Sequence, residues 1–289
     1  MVANLVKNGR AVMAFDLSPA ALDAAKGVGA TSASSVAEIA QSCQNIITML
    51  PSTSHVESTF MDPNGILPTA IAAGGDSSRI FIDCSTIDPV ASKALHKATE
   101  AASTKFQMLD APVSGGVGGA ENGTLTFMVG GNATTVEEAT PLLKDMGSNV
   151  VHCGGAGTGE VVKLCNNLSL AVSMVGTSEA MNLGERLGID PKVLAKIMNT
   201  STARCWSSDT YNPCPGVMEG VPSSRGFTGG FANGLMEKDL FLALGAARAS
   251  GSPIPLGSAA HALYSILKTS GKEELDFSSV YLLLAGKIK

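Results

Sequence analysis

Four places in this 289-residue chain combine residue types that can do chemistry. The first is Gly154-Gly155-Ala156-Gly157-Thr158-Gly159-Glu160-Val161-Val162-Lys163, continuing to Asn167. Lys163 and Asn167 are four apart, so on a helix they share one face. A lysine in an apolar helix is costly to bury unless it is used. Partial desolvation lowers the pKa of an ammonium and lets it exchange a proton near neutral pH. Asn167 could then hold a substrate oxygen or orient the lysine. The bland alternative is a lysine whose stem lies on apolar surface with its head in water. The pattern alone leaves these readings level.

The second is Asp110-Ala111-Pro112-Val113-Ser114-Gly115-Gly116-Val117-Gly118-Gly119-Ala120, at the carboxyl end of an apolar run. Glycines there let backbone N–H groups approach an anion, and the Ser114 hydroxyl adds a donor, which suits a carboxylate. A flexible turn is the alternative; glycines clustered beside a strand end with a serine favour binding. The third is Asp16, an acid closing an early strand, where a dinucleotide-binding fold holds ribose hydroxyls. Ser18 already serves as the local helix cap, so capping is the weaker reading of Asp16. The fourth is Lys238-Asp239, which by itself reads as an exposed charge pair on an amphipathic helix. The sole tryptophan, Trp206, reads by default as core.

The elements that must carry these residues alternate over 1–152. Apolar runs at Ala11–Asp16, Asn45–Leu50, Ile80–Cys84, Phe106–Asp110, Thr124–Val129 and Asn149–His152 read as strands. Ser18-Pro19 and Asp88-Pro89 are cap-plus-proline helix starts. Short apolar strands between helices mean an α/β, mostly parallel sheet covered on both faces. The second half is different. Gly159–Leu187 has no proline and is apolar on nearly every side, which predicts a buried helix on the order of 40 Å long. Asp190-Pro191 opens another helix, and periodic stretches follow at Leu235–Arg248, Gly257–Lys268 and Phe277–Leu284. The boundary falls near Gly154, giving a sheet domain over 1–153 and an all-α domain over 154–289.

Composition removes other classes. Charged residues are 16% and the net charge is -5, with no Lys/Arg cluster, so a disordered chain and a nucleic-acid binder are both excluded. The six cysteines include no CxxC pair, and the four histidines lack zinc-ligand spacing, so reduced thiols and no metal are expected. No apolar run is long enough to span a bilayer, and the N-terminus is neither a signal nor a transit peptide, so a soluble, intracellular protein is expected. Low charge with a mean hydropathy of +0.22 fits a homo-oligomer.

Taken together, these residues resemble the β-hydroxyacid dehydrogenases, most closely their 3-hydroxyisobutyrate branch. Asp110–Gly123 resembles the family's substrate-binding signature, and Gly154–Asn167 its pattern G-x-x-G-x-G-x-x-x-K-x-x-x-N. Met236-Glu237-Lys238-Asp239-Leu240 resembles its later lysine segment, and Met49-Leu50-Pro51 and Asp83-Cys84-Ser85-Thr86-Ile87 its cofactor-contacting strand ends. The run Cys205–Pro213 points to the branch. The resemblance implies a Rossmann-like doubly wound sheet domain followed by an all-α substrate and dimerisation domain. It implies oxidation of 3-hydroxyisobutyrate to methylmalonate semialdehyde, a step of valine breakdown, in the mitochondrial matrix (otherwise the cytoplasm), by a dimer or tetramer. Lys163 and Asn167 would be catalytic. Ser114, Gly115 and Gly116 would hold the substrate carboxylate. Asp16, Leu50, Pro51, Thr86 and Lys238 would contact the cofactor. With no arginine after it, Asp16 favours NAD over NADP, because an acid repels a 2′-phosphate. The family's G-x-G-x-x-G loop and first strand are missing here, so the sheet domain is expected to be incomplete, by roughly 25 residues or more, with impaired NAD binding. Reductases of glyoxylate, succinic semialdehyde or tartronate semialdehyde share the signatures and are the alternative, as is a non-catalytic scaffold. A sugar-phosphate dehydrogenase is disfavoured because no arginine cluster is present.

Overall fold

The structure, a computed structural model, describes residues 1–74 and 77–288. The chain forms two compact units, Met1–Lys163 and Leu164–Lys289.

The first unit runs α1 (Val2–Lys7), β1 (Met13–Ala14), α2 (Pro19–Gly27), β2 (Thr31–Ser32), α3 (Val36–Ser42), β3 (Asn45–Thr48), α4 (Thr53–Met61), α5 (Ile66–Ala72), β4 (Arg79–Asp83) and α6 (Pro89–Ala102). It continues with β5 (Phe106–Asp110), β6 (Val113–Ser114), α7 (Gly116–Asn122), β7 (Thr126–Gly131), α8 (Ala133–Lys144), β8 (Asn149–Gly154) and the start of α9 (Thr158–Arg186). The cap-plus-proline starts form as expected. The Ser18 hydroxyl accepts from the Ala21 N–H at 3.4 Å. The Asp88 carboxylate accepts from the Val90 N–H at 2.8 Å. Each cap satisfies a first-turn donor that the helix itself leaves open.

Strands pair in the order β3-β4-β5-β7-β6, with β8 on β7. β3, β4 and β5 are parallel, and so are β7 and β8. β7 runs antiparallel to β5 and to β6. The sheet is therefore mixed at β7, a reversal that apolar runs cannot signal because direction leaves no mark on composition. The expected strand Ala11–Asp16 shrinks to Met13–Ala14, because only those residues find a ladder partner, in β2. Side chains alternate across the pleat. Ile46, Phe81, Phe106 and Met108 face α3–α6 in one core, where Phe60, Phe81 and Phe106 meet edge to face. Ile82, Leu109, Phe127 and Val129 face α8 and Leu5 of α1 in the other.

The second unit holds the rest of α9, then α10 (Pro191–Thr200), α11 (Trp206–Asp209), α12 (Asn233–Ser250), α13 (Pro255–Thr269) and α14 (Val280–Leu284). Its core joins Ala171 and Met174 of α9 to Met236, Leu240, Ala260, Tyr264 and Phe277. A second cluster joins Met181 to Ala195, Phe227 and Tyr281.

Helix α9 departs from expectation. It is not buried all round: Val161, Val162 and Leu183 are exposed. Among its buried residues, Glu160, Lys163, Leu164, Asn167, Ala171, Met174, Ser178 and Met181 follow one stripe, mostly at three- and four-residue steps. The hidden stripe thus mixes apolar side chains with Glu160, Lys163, Asn167 and Ser178, a combination that apolar content could not reveal.

The start of α9 requires Gly159. A Cβ there would stand 2.2 Å from the Met128 carbonyl oxygen and 2.8 Å from that of Asp110, both backbone atoms. Gly159→Ala is expected to lower unfolding stability by about 2–3 kcal/mol or more, through overpacking against atoms that cannot move aside. Urea denaturation with circular dichroism measures this, and an unchanged midpoint would contradict it.

Candidate active site

Asp110 closes β5 and is fully buried. Its Oδ1 accepts from the Gly157 N–H at 2.8 Å, and its Oδ2 from the Glu160 N–H at 3.2 Å. His96 Nε2 of α6 lies 2.9 Å from Oδ1. These amides belong to the residue just before α9 and to its first turn, where N–H groups have no partner within the helix and the dipole favours an anion. The acid that opens the glycine-rich segment therefore pins the helix bearing Lys163. Glu160 is also buried, and its Oε2 accepts from the Ile87 N–H at 3.2 Å, tying the same turn to the loop after β4. Lys163, one turn further, is 7% exposed, so it does not snorkel.

After Asp110 the chain makes the short β6, which pairs Val113 with Phe127 and Ser114 with Thr126. Gly115 (φ 135°) and Gly116 (φ 63°) then turn into α7 with backbone angles that L side chains rarely adopt. Ser114 is half-buried and both glycines are exposed, so hydroxyl and amide donors stand at an accessible turn.

Thr48, Asp83 and Asp110 are register partners across β3, β4 and β5. Asp83 is 1% exposed, and its Oδ1 accepts from the Thr48 hydroxyl at 2.7 Å and the Ser85 hydroxyl at 2.6 Å. Burial pushes its carboxyl above the ordinary aspartate range against those hydrogen bonds, and the charge of Asp110 pushes the same way. The Ser85 hydroxyl oxygen in turn accepts the Leu50 N–H at 2.8 Å. The expected cofactor residues Leu50, Pro51 and Thr86 thus stand on two turns that are bonded together. Asp16 is not part of that bonded pair of turns. It follows β1, which pairs with β2 in a separate ladder, and its Oδ1 accepts from the Ser18 N–H at 2.8 Å.

In the second unit, the Asn167 amide donates to Asp239 Oδ2 at 2.6 Å, and Lys238 Nζ lies 3.4 Å from Asp239 Oδ1. Asn167 and Asp239 are each 3% exposed. The Lys238-Asp239 dipeptide is therefore not the solvent-facing charge pair expected from its pattern. Asp239 is turned inward to hold Asn167. The default for Trp206 fails too: it is 47% exposed and stacks on Tyr211, ring centroids 4.6 Å apart. Tyr211 donates to the buried Asp276 at 2.9 Å, and burial beside that carboxylate pushes its phenol well above the usual range. Stacking on Tyr211 adds to what the covered part of the ring gains from burial.

Residues 1–155 match the family described as the NAD binding domain of 6-phosphogluconate dehydrogenase. Residues 157–284 match that described as the NAD-binding of NADP-dependent 3-hydroxyisobutyrate dehydrogenase. The chain is 50% identical over 284 residues to the human mitochondrial 3-hydroxyisobutyrate dehydrogenase, covering 98% of this chain and 82% of that protein. The chain belongs to the 3-hydroxyisobutyrate dehydrogenase family. The probable mitochondrial enzyme of Dictyostelium discoideum is 49% identical over 99% of this chain and 87% of its own length. The solved Mycobacterium tuberculosis 3-hydroxyisobutyrate dehydrogenase with L-serine superposes with a TM-score of 0.90 at 37% identity, covering 98% of this chain and 94% of that one.

A family of nicotinamide-dinucleotide enzymes needs turns at the carboxyl ends of parallel strands, and the bonded β3 and β4 turns fit that requirement. Among the described residues no group of three or more His, Cys, Asp or Glu could hold a metal. No described helix is long and apolar enough to cross a membrane. All six cysteines are free. Sequence reasoning placed Asp83, Asp110, Glu160 and Asp239 within its motifs but gave none of them the part of holding a neighbouring site residue. An available signal was the acid closing an apolar strand in both IFID and FQMLD.

Asp110→Ala leaves His96 and two amides at the start of α9 without their acceptor. It is expected to cost about 2–4 kcal/mol of unfolding stability, as the loss of a cap combined with a broken buried network. Chemical denaturation of the purified variant reads this; a loss near zero would remove Asp110 from its proposed place as the anchor of α9.

Proposed function

We propose that this chain oxidises 3-hydroxyisobutyrate to methylmalonate semialdehyde with NAD, a step of valine breakdown. The observation that carries this reading is the buried Lys163, one helical turn from the buried Asn167 on α9. When bound, the nicotinamide supplies the hydride acceptor for the carbinol carbon. Lys163 Nζ takes the hydroxyl proton as the C–H bond breaks, and the C–O bond becomes a carbonyl. Asn167, its amide fixed by Asp239, supports the substrate oxygen. The Ser114 hydroxyl and the backbone N–H groups of Gly115 and Gly116 receive the carboxylate. Leu50, Pro51, Thr86 and Lys238 line the cofactor site. The L-serine named with the mycobacterial relative is a hydroxymethyl compound with a carboxylate one carbon away, the same framework as 3-hydroxyisobutyrate.

Residues 1–153 serve as the dinucleotide-binding domain and 154–289 as the helical substrate and dimerisation domain of a homodimer or homotetramer. The family description naming NADP leaves the choice of dinucleotide to the residues. Asp16, exposed and with no arginine after it, favours NAD, since a carboxylate repels a 2′-phosphate. The mitochondrial names of the relatives support the matrix as its compartment.

The test is dinucleotide reduction by the full chain with 3-hydroxyisobutyrate, followed at 340 nm. Lys163→Ala is expected to lower kcat by about 10²–10⁴-fold while NAD still binds; near-normal turnover would refute its role as base. Faster reduction of glyoxylate or tartronate semialdehyde than oxidation of 3-hydroxyisobutyrate would favour the reductase branch. Asp16→Ala is expected to narrow the preference for NAD over NADP in kcat/KM several-fold. An unchanged ratio would place dinucleotide selection elsewhere.

A further inference from the structure

Asp83 takes no part in the chemistry above, yet it is a fully buried acid, and burying such a group is costly unless it is bonded. The three hydrogen bonds to its carboxylate fall on one oxygen: Oδ1 accepts from the Thr48 hydroxyl, the Ser85 hydroxyl and, at 3.2 Å, the Ser85 N–H. The two hydroxyls belong to different turns. Thr48 ends β3, two residues before Leu50, and Ser85 follows β4 immediately before Thr86. Because the Ser85 hydroxyl spends its proton on Asp83, its oxygen is oriented to accept, and it accepts the Leu50 N–H across the gap between the turns. A hydroxyl free to rotate would hold that amide only part of the time. The strands themselves cross-link the row, with the Cys84 N–H on the Thr48 carbonyl at 2.8 Å and the Ala111 N–H on that of Asp83 at 2.7 Å. The ladder ends there, so the turns beyond it depend on side chains.

We propose that Asp83 is a positioning residue for the dinucleotide: by orienting the Ser85 hydroxyl and holding Thr48, it fixes the turns that present Leu50, Pro51 and Thr86. The proposal rests on the cofactor contacts assigned above and adds the group that sets their geometry. It explains why a polar row crosses the edge of an otherwise apolar sheet face. Ile46, Phe81 and Met108 lie two residues earlier on the same face and pack into the core. Thr48 and Asp83, in the next row, bond to each other.

The test uses the full-length protein in three forms, Ser85→Ala, Thr48→Val and the conservative Thr48→Ser, because Asp83→Ala itself could fail to fold. Dinucleotide affinity is read by titration calorimetry with NAD alone, and hydrogen exchange is read at the Leu50 amide. Ser85→Ala is expected to weaken NAD binding about five- to tenfold, the loss of one oriented hydrogen bond, and to speed exchange at Leu50. Thr48→Val is expected to weaken binding in the same direction, and Thr48→Ser to restore it. The KM for 3-hydroxyisobutyrate at saturating NAD should change less than the NAD affinity in every variant. Unchanged NAD affinity in Ser85→Ala and Thr48→Val, with binding intact in the unsubstituted chain, would overturn the role of Asp83 and leave the cofactor assignment standing. Equal losses toward both substrates would show a merely structural role and overturn it as well. No NAD binding by the unsubstituted chain would instead sink the assignment of these turns to the cofactor, and the proposal with it.

Discussion

The buried carboxylate of Asp110 is the constraint around which the first unit is built. It stands at the carboxyl edge of the central sheet, accepts two amides at the start of α9 and touches His96. A charge taken out of water must be bonded on several sides, and here the bonding partners are the very groups that a helix start leaves open. One acid thereby settles where α9 begins and how close it comes to β5 and β7. That approach leaves no room for a side chain at residue 159, because the backbone of Met128 and Asp110 fills the space. Lys163 follows one turn later, and the glycine turn at Gly115-Gly116 begins five residues after Asp110 on the other side. Both arms of the proposed chemistry are thus measured from one carboxylate.

Asp83 repeats the device one strand over. The two acids are register partners, and each binds a connection beyond the sheet: Asp110 the helix start, Asp83 the paired turns after β3 and β4. Like charges on neighbouring strands oppose one another, and the raised carboxyl of Asp83 reflects this in part, after burial. Such a row costs stability that an apolar edge would have kept, which is a common pattern where a structure must hold functional groups at the end of a sheet. In the second unit Asp239 plays the corresponding part for Asn167, and Asp276 for Tyr211 and the Phe231 N–H. An inward acid supporting a polar side chain recurs in both units.

Much of this was legible in the chain. Cap-plus-proline starts at Ser18-Pro19, Asp88-Pro89 and Asp190-Pro191 all open helices, because a side-chain acceptor and a pre-set φ act within three residues. Strands such as Phe106–Asp110 were visible because an apolar run needs no partner to be recognised. Illegible were the features that depend on what comes near from far along the chain. The reversal at β7 is a pairing choice. The half-exposed stacking of Trp206 on Tyr211 depends on how α11 and the segment after it lie in the fold. Lys238-Asp239 reads as a surface pair until Asn167, seventy-two residues away, is known to donate to it.

By itself the sequence determined the α/β region followed by helices, the family, and the residue types available at each candidate position, since periodicity, caps and motif spacing are local properties. Only the tertiary structure decided that Glu160 and Asn167 of α9 face inward, that Lys163 is buried rather than snorkelling, and that Asp83, Asp110 and Asp239 are the groups holding the site residues in place. The reason is that a buried charge acquires its meaning from its partners, and those partners lie 35, 47 and 72 residues away along the chain.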